Sequence, residues 1–241
     1  MRILITNDDS ISAGQLLPLV RWCRKLGQVT TVVPRYEQSG KSHGIEIHKP
    51  FRYAQVELAP DVTAYAVEAT PADCVRFAVL GLQEKYDLVI SGINRGLNIG
   101  TDMIYSGTVA AALESAVLGL PAIAISTSPE YYDHAVEHLD RIYDFIRNNR
   151  LMDGHGIYNI NIPPHPKAIR FTCMGGPYYS DDFGLSEDGI CQPIGKCVYK
   201  DSGDLALDTN AVMAGYISIT PLTVNMTDMS MYEKLKALNE T

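Results

Sequence analysis

The chain is predicted to be an α/β protein: a Rossmann-like, doubly wound and mainly parallel sheet followed by a C-terminal β-rich extension with a hairpin. Three observations predict this. Short apolar runs that end in polar residues recur at 2–6, 29–33, 87–94 and 121–126. Segments whose apolar residues return near every 3.6 positions lie among those runs. After about Gly154 the texture changes to short runs separated by Gly, Pro and Asp, which reads as irregular β structure.

Residues 2–6 form a buried strand that turns polar at Thr6-Asn7-Asp8-Asp9. From Ser12 to Leu26, the positions Leu16, Leu19, Val20, Cys23 and Leu26 mark an amphipathic helix, and Val29–Val33 is the next strand. A β-α-β unit of this kind makes a right-handed crossover between parallel strands. Residues 43–70 read as shorter strands of mixed polarity, and Pro71–Glu84 as a helix with proline near its N-terminus. The pattern returns with a strand at Asp87–Asn94, a helix from about Thr108 to Leu118 and a strand at Pro121–Ser126. Val136, Leu139, Ile142, Tyr143 and Ile146 share one face of an outer helix over 130–149. Further short strands are expected at Tyr158–Ile162, Ile169–Met174 and Tyr216–Thr220. Residues 175–204 are poor in core side chains, so they are expected to project and pair with another subunit.

At 241 residues the chain fits a Rossmann-like core over 1–154, carrying the site, with an extension over 155–241 that completes the fold and makes oligomer contacts. Hydrophobic residues at 46% and charged residues at 20% call for a packed core and exclude a largely disordered chain. The net charge of −8, with no cluster of Lys and Arg, argues against binding a nucleic-acid duplex. A small phosphorylated substrate stays open, because one metal ion and a few backbone N–H groups reverse the potential inside a single pocket. The five cysteines contain no C-x-x-C pair, so no disulfide framework or zinc site is indicated, and Cys74 reads as a small buried hydrophobe. The N-terminus is too soon polar for a signal peptide and no apolar run reaches bilayer length, so a cytoplasmic protein with no membrane partner is expected.

In a doubly wound sheet the ligand crevice lies beyond the carboxyl ends of the strands. Asn7, Asp8 and Asp9 close the first strand, Gln38-Ser39-Gly40 follows the second, and Ser91-Gly-Ile-Asn94 closes the third. Two adjacent carboxylates repel unless a cation lies between them. Asp8, Asp9, the Ser39 hydroxyl and the Asn94 amide oxygen make a hard oxygen set, suited to one Mg²⁺ or Mn²⁺ per subunit rather than Zn²⁺. As an isolated dipeptide, Asp8-Asp9 serves equally well as an N-cap and turn pair. Ser106, Gly107 and Thr108 open an Ala-rich helix, whose free N–H groups favour a phosphate; the plain alternative is a Ser/Thr cap.

Asn7-Asp-Asp9, Ser39-Gly40, Thr70-Pro-x-Asp-Cys-Val75, Ser91-Gly-Ile-Asn-x-Gly-x-Asn-x-Gly100, Tyr105-Ser-Gly-Thr-Val-Ala-Ala-Ala112 and Gly215-Tyr-Ile-Ser-Ile-Thr-Pro-Leu222 resemble the SurE family, the survival-protein-E nucleotidases, over nearly the whole chain. The resemblance implies a Rossmann-like core and a divalent-metal 5′-nucleotidase acting on nucleoside monophosphates. It also implies metal ligation by Asp8, Asp9, Ser39 and Asn94, and a homodimer or tetramer built partly through a projecting hairpin. The chain departs from the family pattern at Ser10, where a glycine is usual, at Ala13-Gly14-Gln15, at Ala69 and at Cys173, which leaves loop geometry and substrate preference open.

The expected chemistry is hydrolysis of a nucleoside monophosphate or another small phosphate ester. Ser106, Thr108 and the helix N-terminus neutralise charge on the phosphate oxygens, Asp8 or Asp9 orients the attacking water or acts as base, and Asn98 positions the phosphate or holds its loop. The Asp-x-Asp spacing of the large aspartyl-phosphate phosphatases is absent. The competing expectation, prompted by Ser10 and Gln15, is a nucleotide- and metal-binding regulatory module that turns nothing over.

Overall fold

Strand β1 (Arg2–Thr6) has four fully buried residues in a row, which only a strand covered on both faces allows. Its alternation divides the core in two. Ile3 and Ile5 pack with Leu16, Leu19 and Trp22 of α1 (Leu16–Cys23) and with Leu139, Ile142 and Ile146 of α4 (Leu139–Asn148). Leu4 faces the other way, toward Val75 of α2 (Pro71–Arg76) and Val109, Ala111 and Ala112 of α3 (Gly107–Val117). Each large apolar side chain buried this way contributes about 1.5–3 kcal/mol.

The computed structural model describes residues 1–154 and 156–239. The remaining strands are β2 (Gln28–Pro34), β3 (Tyr53–Ala59), β4 (Val62–Val67), β5 (Leu88–Arg95), β6 (Ala122–Thr127), β7 (Ile157–Ile162), β8 (Ile169–Phe171), β9 (Tyr179–Leu185), β10 (Cys191–Cys197) and β11 (Ile217–Pro221). With β1, eight of them form one nine-stranded sheet in the order β3-β4-β2-β1-β5-β6-β7-β11-β8. From β4 through β7 every pairing is parallel, while β3 and β11 run antiparallel to their inner neighbours. The doubly wound expectation holds. Strands from both sides of residue 154 share the sheet, since β7, β11 and β8 extend it beyond β6. The chain leaves β1 toward β2 on one side and returns to β5 on the other, so the topological switch point lies between β1 and β5.

Three expected helices are shorter than their periodicity implies. Residues 10–15 form turns, with Ser10 at φ 76° and Ala13 N–H donating to the Ser10 carbonyl at 3.2 Å, so α1 starts only at Leu16. The helix expected over Pro71–Glu84 is α2, opened by a Thr70–Asp73 capping box, followed by a π-helical turn over Phe77–Gly81. Gln83 at φ 56° ends it. The outer helix over 130–149 divides into a 3₁₀ segment, Pro129–His138, and α4. In the 3₁₀ part the Tyr131 ring stacks on His138, with centroids 5.7 Å apart.

The hairpin β9–β10 stands apart as a two-stranded antiparallel sheet, and every residue of β10 is exposed. After β11, α6 (Met229–Leu235) has no buried residue, whereas α5 (Asp208–Met213), which precedes β11, is mostly buried. Among the described residues, no helix is long and apolar enough to cross a membrane.

Candidate active site

The chain turns immediately after β1, as two neighbouring carboxylates facing one crevice require. The Asn7 side-chain amide donates to the Ser10 carbonyl at 2.9 Å and closes that turn. Asp8 is buried, and one of its oxygens accepts the Thr108 hydroxyl proton. Asp9 is half-buried, and its Oδ2 accepts from the Arg95 backbone N–H at 2.9 Å. The Asp8 carbonyl accepts from the Gln38 N–H at 2.8 Å. Gln38 is the neighbour of Ser39, and Arg95 the neighbour of Asn94. Each of the four expected ligands is therefore Asp8 or Asp9, or adjoins a residue whose backbone bonds one of them.

Helix α3 reaches the same place from below. Gly107, its first residue, lies so near Asp8 that a Cβ there would meet Asp8 Cβ at 3.0 Å and Asp8 Oδ2 at 3.2 Å. A side chain would push the helix away from the carboxylates. Ser106 is the N-cap, its Oγ accepting from the Val109 N–H at 3.1 Å, and the positive end of an eleven-residue helix points at the crevice.

Burial pushes the Asp8 carboxyl above the ordinary carboxylate range; the Thr108 hydrogen bond opposes this, and the Glu37 charge adds to it. Asp9 is pushed up to about 6, again mainly by burial, with the Arg95 amide opposing and the Asp8 and Glu37 charges adding. Two carboxylates taken out of water beside each other, with a third charge nearby, form a site that a hard divalent cation relieves. The donor set fits such an ion. The Asn94 side-chain N–H₂ donates to the Gly96 carbonyl at 2.8 Å, which leaves its amide oxygen free to accept or to face a cation. The described residues contain no group of three or more His, Cys, Asp or Glu placed to hold a metal, so an ion here depends on neutral oxygen donors as well as Asp8 and Asp9.

Two expected residues have partners within the protein. The Thr108 hydroxyl is turned to Asp8 and so orients that carboxylate. Asn98 is held by four hydrogen bonds: its N–H donates to Asn161 Oδ1 at 2.8 Å, its carbonyl accepts from Asn159 at 2.7 Å and Asn161 at 3.0 Å, and its side-chain amide donates to Ser126 Oγ at 2.7 Å. Of the two roles expected for Asn98, the contacts support fixing the loop. Ser39 is exposed and its Oγ donates to Glu37 Oε1 at 2.7 Å. Its loop is fastened beyond that point, where Ser42 Oγ donates to the Ile104 carbonyl at 2.7 Å and His43 Nε2 lies 2.8 Å from the buried Glu114.

Sequence reasoning misses Glu37, Ser126, Asn159, Asn161 and Asp208. Asp208 is fully buried and accepts from the backbone N–H groups of Gly100, Gly175 and Thr209, joining the Asn94–Gly100 loop to the root of the hairpin. Polar residues at alternate positions of an otherwise apolar strand, as in Asn159-Ile-Asn161, are the one signal that points to any of them. Cys74 is fully buried and burial pushes its thiol up, in keeping with a packing residue.

Comparison with known proteins adds an independent line. The family model described as Survival protein SurE matches residues 3–181. The 5′-nucleotidase SurE of Alkaliphilus metalliredigens (strain QYMF) is 38% identical over 257 residues, covering 99% of each chain. That of Thermoanaerobacter sp. (strain X514) is 37% identical over 254 residues, covering 98% of each. The crystal structure of the SurE protein from Aquifex aeolicus superposes with a TM-score of 0.78 at 29% identity, covering 100% of both chains.

Proposed function

Because this chain belongs to the Survival protein SurE family, we propose that it is a divalent-metal-dependent 5′-nucleotidase that releases phosphate from nucleoside 5′-monophosphates at the β1/β5 switch point. The observation that carries this reading is the pair of desolvated carboxylates, Asp8 and Asp9, set against the N-terminus of α3 and tied through backbone bonds to the residues beside Ser39 and Asn94.

Asp8, Asp9, Ser39 and Asn94 would hold one Mg²⁺ or Mn²⁺. When bound, such an ion supplies Lewis-acid polarisation of the phosphate. The chain's own groups do the rest. Free N–H groups at the start of α3, with the Ser106 hydroxyl, hold the phosphate oxygens and offset the charge that builds on them. Thr108 holds Asp8 in one orientation. Asp9, fixed by the Arg95 amide, accepts a hydrogen bond from the attacking water and takes its proton as the new P–O bond forms. The ester oxygen departs with the nucleoside and takes a proton from solvent. Asn98, gripped by Asn159, Asn161 and Ser126, keeps the Asn94–Gly100 loop at a constant distance from this chemistry.

The test is phosphate release by the pure protein from a panel of nucleoside monophosphates, with Mg²⁺, Mn²⁺ or EDTA. Metal-dependent turnover is expected; nucleotide binding with no released phosphate would replace the enzyme by the regulatory module. We further propose a cytoplasmic homodimer or tetramer, supported by a hairpin and an α6 with little to pack on within one chain, and by five free cysteines. Light scattering on the eluted protein decides its assembly.

A further inference from the structure

Residues 35–52, between β2 and β3, contain no helix or strand, yet they carry Ser39. The Ser39 side chain is exposed and bonds Glu37 of the same loop. Its place is therefore set by what grips the chain on either side. On one side the Gln38 N–H donates to the Asp8 carbonyl at 2.8 Å. On the other, the Ser42 N–H donates to the Tyr105 carbonyl at 3.0 Å and Ser42 Oγ to the Ile104 carbonyl at 2.7 Å, just before Ser106 caps α3. Ser42 is at φ 53°, a left-handed conformation that costs a non-glycine residue free energy and persists only where the surroundings hold it.

The next residue, His43, adds a bond to a buried carboxylate. Its Nε2 lies 2.8 Å from Glu114 Oε2, within reach for the ring N–H to donate. Glu114 is 5% exposed and sits on α3 about two turns, or about 12 Å, beyond Ser106. Its other oxygen, Oε1, accepts from Arg76 Nη1 at 3.0 Å, at the end of α2. A carboxylate taken out of water needs both partners, because a buried oxygen left unpaired is costly. The pairs Arg147–Asp144 and Arg150–Asp153, exposed on both members, carry no such penalty and contribute little. The bond between His43 and Glu114 thus fastens an irregular loop to the helix whose first residue packs on Asp8.

We propose that His43 is a positioning residue for the divalent ion: through Glu114 it fixes where the Ser39 hydroxyl stands relative to Asp8 and Asp9, and with it how tightly the site takes the ion. The assignment rests on the metal reading above and adds what holds the ligand that comes from an irregular loop.

Mn²⁺ affinity, read from the electron paramagnetic resonance of the free ion, tests this in wild type, His43→Leu and His43→Gln, each also in a Ser39→Ala background. The glutamine amide keeps an N–H at the reach of Nε2, and leucine removes it. The His43 side chain is 35% exposed, so neither change opens the core. Affinity should fall roughly tenfold in His43→Leu, the lower end for an outer partner of a metal ligand, and stay within about twofold of wild type in His43→Gln. After Ser39→Ala the leucine change should cost less than about twofold more, because residues acting through one contact do not add. A loss of equal size in both backgrounds, or none in either, overturns the assignment. Amide hydrogen exchange at Gln38 and Ser42 in EDTA reads the loop without the ion, and should quicken in His43→Leu and return in His43→Gln. If the wild type binds no Mn²⁺, the metal-site reading falls. Quicker exchange in His43→Leu that glutamine reverses then still assigns the loop's position to His43, and unchanged exchange overturns it.

Discussion

The two ends of this chain are built on opposite terms. At the β1/β5 switch point polar groups cluster in a largely buried setting, and carboxylates, an asparagine clamp and a helix terminus are held by residues 60–100 positions away in sequence. In the hairpin β9–β10 and in α6 the large side chains face outward: Phe183 is 60% exposed, Leu185 81% and Leu235 51%. The first region bears electrostatic cost for the sake of chemistry and is held in place by packing. The second bears exposed apolar surface, which a monomer has no reason to keep. Stability and reactivity should therefore respond to substitution at one end, and assembly at the other.

The sharpest way to break this contrast is Asp8→Asn. Phosphate release should fall by more than roughly a hundredfold, since even an outer partner of a metal ligand is worth 10–100-fold, while the melting temperature of the metal-free protein does not fall. Retained turnover would remove the metal from the mechanism. Asn161→Leu should reduce unfolding free energy in urea by about 3 kcal/mol, because it strips partners from a buried N–H and weakens the hold on a carbonyl. A loss below about 1 kcal/mol would mean that the clamp is dispensable.

In EDTA, Asp9 ties stability to pH. Its folded-state pKa of about 6 lies above the ordinary value, so the fold favours the protonated carboxyl. That contribution is complete below the unfolded value, near ~4, and is lost as pH rises through about 6. The melting temperature of wild type relative to Asp9→Asn should drop between those limits, and Mg²⁺ should restore it at neutral pH. A flat difference would mean that Asp9 is not desolvated in solution.

A smaller effect is expected at Ser10, which sits at φ 76° in the turn beside the carboxylates. Ser10→Gly should stabilise the metal-free protein by about 1 kcal/mol, the usual cost of a left-handed non-glycine residue, as read from urea unfolding. The smallest effect on the fold belongs to the other region. Leu185→Ser should leave unfolding within about 0.5 kcal/mol in dilute, monomeric protein, yet shift the elution volume toward smaller species at higher concentration. A large loss in the monomer would place the hairpin inside the folding unit.

Much of the active end is legible from sequence because its strands are apolar runs that stop abruptly at polar residues, as at Thr6-Asn7-Asp8 and Ser91-Gly-Ile-Asn94. Strand ends, helix starts and an oxygen-rich set of side chains are local properties. The supporting residues are not. Asn159 and Asn161 lie within a buried strand and Asp208 in a short helix, and what they do depends on loops brought beside them only by the completed sheet. Ser10 is visible as a departure from the family's glycine, but only the backbone reveals that the serine occupies the conformation glycine would favour. The 130–149 segment misleads because its apolar spacing suits one helix, while stacking of Tyr131 with His138 accompanies a tighter winding in its first half.

The Asp208 knot has a practical corollary for anyone building chimaeras from such proteins. Gly100 lies against the Gly176 carbonyl so tightly that an added Cβ would fall 2.0 Å from that oxygen, and Asp208 ties the amides of Gly100 and Gly175. A foreign arm spliced in upstream of residue 177 would carry away half of that joint and loosen the catalytic loop with it. The exchangeable cassette accordingly starts after Gly176, and a graft that respects this seam keeps the Gly100–Gly175–Asp208 joint whole.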